Sequence, residues 1–114
     1  MRIKFIITSL LIISCNSSND FTINGSIDAD DGSKVYILQA DQNNQPYIKD
    51  STIIKNSKFK FTGEAATPEI SYFQVEGVNG YVLSIIESGK INAEIFKDSI
   101  TTSLVTGTKS NNDF

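Results

Sequence analysis

The chain has 114 residues, 39% of them hydrophobic and 20% charged, which suits one globular domain and excludes a disordered chain. Its formal net charge is -3, and removal of Arg2 and Lys4 with the N-terminal segment would leave 8 basic and 13 acidic side chains. Acidic residues outweigh the one basic run, Lys55, Lys58 and Lys60, so we expect no nucleic-acid partner.

Residues 1–14 have the pattern of a signal peptide. Arg2 and Lys4 precede an apolar stretch at residues 5–13 that is interrupted by Thr8 and Ser9. As a helix this stretch would be about 13 Å long, against about 30 Å for the hydrocarbon core of a bilayer. The length therefore predicts a signal segment and not a membrane span.

The sequence Ile12-Ile13-Ser14-Cys15 resembles the lipobox of bacterial lipoproteins. The resemblance implies diacylglycerol attachment to Cys15, cleavage before it and acylation of the new amine. Residues 15–20 would then be a polar tether, and the domain would be held in the cell envelope, on the periplasmic side or at the outer membrane, through the lipid on Cys15. The alternative is an unmodified Cys15 that follows an ordinary signal peptide.

Residues 21–108 show short strand-like runs separated by turns. This predicts an all-β domain, as a single small antiparallel β-sandwich or a partly open barrel of about eight short strands. We expect residues 109–114 to be a polar tail. The predicted strands are residues 21–27, 34–40, 47–54, 58–61, 70–76, 81–86, 90–95 and 100–105.

Local patterns add detail to these strands. The run from Val35 to Leu38 is apolar on both faces, which predicts a central strand. The run Lys58-Phe59-Lys60-Phe61 alternates, which places both rings on one face and both ammonium groups on the other. Asn56 is suited to a positive φ in the preceding turn, and Asn79-Gly80 predicts a hairpin.

The sequence lacks the residues of common catalytic sites. It has no histidine, a single cysteine, no C-x-x-C, no P-loop and no G-x-G-x-x-G, so it cannot form a Ser-His-Asp triad or a thiol-disulfide centre on its own. We therefore predict no enzyme activity, no catalytic residues and no cofactor.

The acidic residues suggest two kinds of site, and the sequence favours neither. An EF-hand loop beginning at Asp28 would need acidic residues where Gly32 and Gln39 stand, so the acidic turn with Asp30 and Asp31 predicts no metal site. For glycosidase-like acid-base chemistry, nothing in the sequence brings two carboxylates together. The candidates for that chemistry are Glu64, Glu69, Glu76 and Glu87.

Four tyrosines leave a question of binding open. Tyr36, Tyr47, Tyr72 and Tyr81 could line a binding face, or they could pack in the core or at its rim with their hydroxyl groups in water. The sequence favours the core or the rim.

The order of turn and strand motifs resembles the domain of unknown function family DUF4369 of Bacteroidetes lipoproteins. The motifs that carry the resemblance are Phe21 to Gly25, Asp31-Gly32-Ser33-Lys34-Val35-Tyr36-Ile37-Leu38, Asp50-Ser51-Thr52-Ile53, Asn56-Ser57-Lys58-Phe59-Lys60-Phe61-Thr62-Gly63, Pro68, Ile86-Glu87-Ser88-Gly89 and Val105-Thr106-Gly107-Thr108. The resemblance implies a position before a thioredoxin-like domain with a C-x-x-C motif. This sequence departs from the pattern in two ways: no C-x-x-C motif follows Gly107 within the 114 residues, and Ser57 stands where the family tends to have glycine.

Three functions follow as hypotheses. The first is a lipid-anchored, non-catalytic accessory domain that contacts an envelope protein or a thioredoxin-like domain, and it predicts a flat surface with an unpaired edge strand. The second is a small-ligand or glycan-binding module, which predicts a concave patch joining several tyrosines. The third is a truncated thiol-disulfide interchange lipoprotein that lacks its redox domain.

Overall fold

A computed structural model describes residues 19–113, which form eight strands in two four-stranded sheets. The predicted signal segment, Cys15 and Phe114 lie outside these residues. No helix within residues 19–113 is long and apolar enough to cross a membrane. The elements are β1 (Asp20–Ile27), β2 (Lys34–Ala40), β3 (Pro46–Ile53), β4 (Lys58–Glu64), β5 (Glu69–Val75), β6 (Val82–Ile86), β7 (Gly89–Ile95), β8 (Leu104–Thr106) and one helical turn, α1 (Lys109–Asn112).

The two sheets pack face to face as a sandwich, which confirms the predicted all-β fold and selects the sandwich over a barrel. The first sheet has the order β4-β1-β7-β8 and the second has the order β3-β2-β5-β6. One pairing is not antiparallel, because β1 and β7 run parallel. Strands that are joined by a short hairpin must pair antiparallel. Because β1 and β7 are distant in sequence, they can pair in parallel.

The strand predictions agree with the structure except near the C-terminus. β2 lies between β3 and β5, which confirms that it is central. The strand predicted at residues 100–105 is wrong in its first half: Ile100–Thr102 form a short 3-10 turn, and the strand is Leu104–Thr106. The side chain of Ile100 packs against the core, so the chain turns here before it can pair.

The core holds phenylalanine rings from facing strands. Phe59 and Phe61 are buried, as their alternation with lysines predicts, and both lie against Phe73 of the second sheet with ring centroids 6.0 and 6.3 Å apart. The ring of Phe59 also covers Gly25 on the neighbouring strand, where an added Cβ atom would fall 2.0 Å from the ring. Glycine at this position is therefore required by packing.

The hairpin between β3 and β4 connects the two sheets. Its turn residues, Asn56 and Ser57, have φ values of 53° and 63°, and the flanking residues Lys55 and Lys58 exchange two backbone hydrogen bonds of 2.9 and 3.0 Å. Two central residues with positive φ are typical of a type I′ turn. This confirms the positive φ predicted for Asn56 and places Ser57 in a conformation that favours glycine.

Candidate functional site

A row of apolar side chains crosses the outer face of the second sheet. Ile48, Leu38, Tyr72 and Leu83 are register partners from β3 to β6, so one row includes all four strands. Leu38 is buried within the row although it lies outside the core cluster. Ile48 and Leu83, at the two ends, are 58% and 40% exposed.

Neighbouring side chains extend this row into a patch. Ile70 and Ile85 are register partners two residues along β5 and β6, and Ile70 is 64% exposed. We call the patch the apolar face; it consists of Tyr36, Leu38, Ile48, Ile70, Tyr72, Tyr81, Leu83 and Ile85. Strand spacings of about 4.8 Å and rises of about 3.4 Å per residue give it roughly 15 Å in each direction, an area on the order of 200 to 300 Å². The largest apolar patch on a typical soluble monomer is about 300 to 600 Å² and is often an interaction site, so the apolar face comes close to the lower end of that range.

The structure brings two of the four tyrosines together. The rings of Tyr72 and Tyr81 meet edge to face with centroids 6.1 Å apart, and both are exposed. With Leu38 and Gln39 they line a cavity of about 270 Å³. The hydroxyl of Tyr47 donates a hydrogen bond of 3.2 Å to Gln39, which places Tyr47 at the same end of the sheet. The fourth tyrosine, Tyr36, is half-buried on β2.

The edge of the second sheet at β6 is covered by the side chain of Asn111. The amide of Ile85 donates a 2.9 Å hydrogen bond to Asn111 Oδ1, and Asn111 Nδ2 donates a 2.7 Å bond to the carbonyl of Ile85. This two-point contact imitates the pairing of an added strand. Asn111 Nδ2 also donates a bond of 2.7 Å to Thr108 Oγ1. The C-terminal turn is therefore fixed to the sandwich, although its residues lie in the segment predicted as a polar tail.

Glu87 makes a second contact with the same turn. Its carboxylate accepts hydrogen bonds from the amide and the hydroxyl of Ser110, at 3.0 and 2.9 Å. Hydrogen bonding from Thr108 and Ser110 and the charge of Lys109 lower the pKa of Glu87, and they outweigh the opposing effect of burial. These contacts show that Glu87 anchors the C-terminal turn to the sandwich.

The other glutamates considered for acid-base chemistry lie at separate places. Glu69 accepts a hydrogen bond of 2.9 Å from Gln39, and Glu76 accepts one of 3.1 Å from the amide of Lys34. Glu64 lines a small cavity of about 260 Å³ together with Asp50, which the sequence did not single out. No two of the four candidate glutamates line the same cavity among those found at residues 19–113.

The acidic turn after β1 has a structural contact. Asp31 Oδ1 accepts a 2.9 Å hydrogen bond from the amide of Asn56, which ties this turn to the hairpin between β3 and β4. Within residues 19–113, no three His, Cys, Asp or Glu side chains are grouped so that they could hold a metal ion. The predicted lipidation site, Cys15, lies outside these residues.

Sequence reasoning recognised parts of the apolar face without joining them. The apolar character of β2 on both sides was visible, but the register that aligns Leu38 with Ile48 and Tyr72 depends on pairing between distant strands. A sequence signal did exist, because β5 and β6 carry large apolar residues at outward positions as well as inward ones. Nothing in the sequence marked Asn111 as an edge cap.

Comparison with known proteins gives one match. A protein-family model described as Domain of unknown function (DUF4369) matches residues 21–114. No curated protein and no solved structure matches the chain.

Proposed function

Because this chain belongs to the DUF4369 family of domains of unknown function, we propose from its surface that it is a non-catalytic, lipid-anchored interaction domain of the bacterial cell envelope. Its apolar face contacts another envelope protein, and the lipid on Cys15 holds the domain at the membrane. The observation that carries this proposal is the unbroken row Ile48–Leu38–Tyr72–Leu83 across the second sheet.

The size and charge of the surface favour a different protein over two other occupants. An obligate symmetric dimer buries about 1,000 Å² or more on each partner, well above the area of the apolar face, whereas transient contacts between different proteins are smaller. The described residues carry 8 lysines and 13 carboxylates, so the domain as a whole is repelled by an anionic lipid surface. A limited apolar contact with a second protein suits a patch of this size.

The cavity beside Tyr72 and Tyr81 supports a second candidate function, the binding of a small ligand. Two exposed aromatic rings and the polar side chain of Gln39 are suitable contacts for such a ligand. However, the cavity volume of about 270 Å³ is below the usual range of roughly 300 to 1,000 Å³ for small-molecule sites. The protein-contact function is therefore preferred.

The test is photo-crosslinking in living bacteria that carry the full chain. A photoreactive phenylalanine analogue replaces Tyr72 on the apolar face or, as the matched control, Thr22 on the outer face of the other sheet. We expect a discrete protein adduct from position 72, its loss when Ile48→Thr and Leu83→Thr are added, and none from position 22. Equal adducts from both positions, a lipid adduct, or an adduct of twice the chain mass would contradict the proposed contact.

The anchor has its own test. Intact mass and detergent partitioning are measured for the full chain expressed in a bacterium, beside a Cys15→Ser variant. We expect a lipid-modified chain that begins at Cys15, and loss of both the added mass and the membrane partitioning in the variant. A soluble chain with a free thiol would refute the anchor without affecting the apolar face.

A further inference from the structure

A hollow of about 700 Å³ lies on the outer face of the first sheet and extends to Thr52 and Ile53 at the end of β3 in the second sheet. Its lining includes the exposed apolar side chains of Ile53 and Leu104. Three of its lining residues are lysines, and Glu94 is the one carboxylate among them. The lysines are Lys55, Lys58 and Lys60, which form the basic run of the sequence. We call this site the basic hollow.

The lysines of the basic hollow are held close together by the hairpin. Lys55 and Lys58 are directly opposite each other, flanking the two-residue turn. Lys60 is two residues further along β4 and therefore points to the same face as Lys58. Like charges directly opposite in a β-ladder are destabilising. All three lysines are exposed, so their repulsion is small, and an anion between or beside them would remove it.

No carboxylate within the domain neutralises these lysines. Among residues 19–113, the one salt bridge is between Lys109 and Asp113, at the other end of the chain. The lining of the basic hollow has a formal charge of +2, with three lysines against Glu94, while residues 19–113 as a whole carry 8 lysines and 13 carboxylates. The basic hollow is therefore complementary to an anion on an otherwise acidic surface.

A polar row extends from these lysines across the sheet. Lys60, Asn24, Asn92 and Thr106 are register partners through β4, β1, β7 and β8, and all four are exposed. Their side chains make no hydrogen bond to another residue of the described part of the chain. Two amides and a hydroxyl beside a lysine provide donors and acceptors for a ligand rich in hydroxyl groups.

We propose that the basic hollow binds an anionic saccharide, with its carboxylate or phosphate groups at Lys55, Lys58 and Lys60 and its hydroxyl groups along Asn24 and Asn92. An acidic peptide would also satisfy the lysines, but its backbone offers one N–H and one carbonyl per residue, whereas each sugar ring offers several hydroxyl groups to the polar row. The basic hollow lies mainly on the first sheet and the apolar face lies on the second, so a saccharide and a protein can bind at the same time.

The test uses tetragalacturonate as the probe and the full chain purified from bacteria in neutral-lipid nanodiscs. Binding is followed by calorimetry and by NMR shifts of the amides of β1, β4 and β7. We expect shifts at Asn24, Lys60 and Asn92, and weakening of about two- to fivefold for each of Lys58→Gln and Lys60→Gln at low salt. Lys34→Gln on the second sheet is the matched control, because it removes the same charge and should leave the affinity unchanged.

Three comparisons decide whether the ligand class is right. Neutral maltotetraose should bind at least about tenfold more weakly than tetragalacturonate, and hexaglutamate should not perturb Asn24 or Asn92. Equal binding of hexaglutamate and tetragalacturonate would overturn the proposal in favour of a general charge effect. In a separate sample, part of the neutral lipid of the nanodisc is replaced by phosphatidylglycerol. NMR shifts at Lys58 and Lys60 in that sample, without saccharide, would overturn the proposal in favour of a lipid headgroup. An equal loss of affinity in Lys34→Gln would also overturn it.

Discussion

The two sheets of the sandwich present opposite outer surfaces. The first sheet follows the usual alternation of an antiparallel sandwich strand: Thr22, Asn24 and Ser26 of β1 point outwards between buried apolar residues. The second sheet exposes an apolar row from Ile48 to Leu83. One sheet is therefore patterned for contact with water, and the other departs from that pattern over a continuous area.

The inner faces differ as well. The first sheet contributes Phe59 and Phe61 to the core, whereas the second buries Ser71 and Ser84, which are register partners with no exposed surface. Ser71 accepts a 3.0 Å hydrogen bond from Gln39, so part of this inner face is polar. Both sheets share the apolar core, but the second sheet also has apolar surface outside the core.

The largest effect is expected inside the first sheet, at Gly25. In Gly25→Ala the new Cβ atom would overlap the ring of Phe59, 2.0 Å from its nearest atom. Overpacking of this severity costs about 3 kcal/mol of unfolding free energy, which chemical denaturation followed by circular dichroism would measure. Gly63→Ala is the graded control, because its Cβ atom would be 2.9 Å from Phe21 at the rim of the sheet. An equal loss in both variants would contradict the packing argument.

The next effect is expected at the edge of the second sheet, at Asn111. Asn111→Ala removes both hydrogen bonds to Ile85, so the amide and the carbonyl of Ile85 lose the partner that they have in Asn111. We expect a loss of about 2 kcal/mol and faster hydrogen exchange at the amide of Ile85. Asn112→Ala is the neighbouring control, since it removes one exposed bond to Gly107. Unchanged exchange at Ile85 would mean that the cap does not protect the edge.

The sequence predicted those features of the two sheets that depend on local alternation and turn chemistry. Alternation at Lys58 to Phe61 identified the buried rings, and Asn56 identified a turn of positive φ. The features it missed depend on distant pairing: the parallel contact of β1 with β7, the outer row of the second sheet and the cap by Asn111. The 3-10 turn that begins at Ile100 was missed because an apolar residue at this position fits a strand pattern as well as it fits a contact with the core.

A smaller and opposite effect is expected in the hairpin that joins the two sheets. Ser57 has a φ of 63°, a conformation that glycine adopts without the steric cost of a Cβ atom. Ser57→Gly should therefore stabilise the protein by about 0.5 to 1 kcal/mol, measured as a shift of the denaturation midpoint. Ser51→Gly, in the interior of β3, should instead destabilise it. Loss of stability in Ser57→Gly would show that the turn is not strained.

The hydrogen bonds of Glu87 with Thr108 and Ser110 should make the edge of the second sheet sensitive to pH. Because folding lowers the pKa of Glu87, its contribution is fully present above the ordinary glutamate value of 4.5 and is lost as the pH falls through the lowered value. Glu87→Gln should cost about 0.5 kcal/mol at neutral pH, and this cost should shrink as the pH falls below 4.5. Glu76→Gln is the control for the loss of a glutamate charge elsewhere in the domain. A stability cost of Glu87→Gln that does not change with pH would contradict this account.

The smallest effect on stability is expected on the apolar face, where it separates surface function from folding. Ile48→Thr with Leu83→Thr removes two apolar side chains from the ends of the row on edge strands, and threonine has the β-branched shape that suits a strand. The unfolding free energy should change by less than about 0.5 kcal/mol, because both side chains are exposed. Binding of an apolar fluorescent dye should fall, while Thr22→Val on the first sheet should not lower it. A large loss of stability in the double variant would mean that the row supports the fold itself, and the difference between the two outer faces would then be a matter of packing and not of recognition.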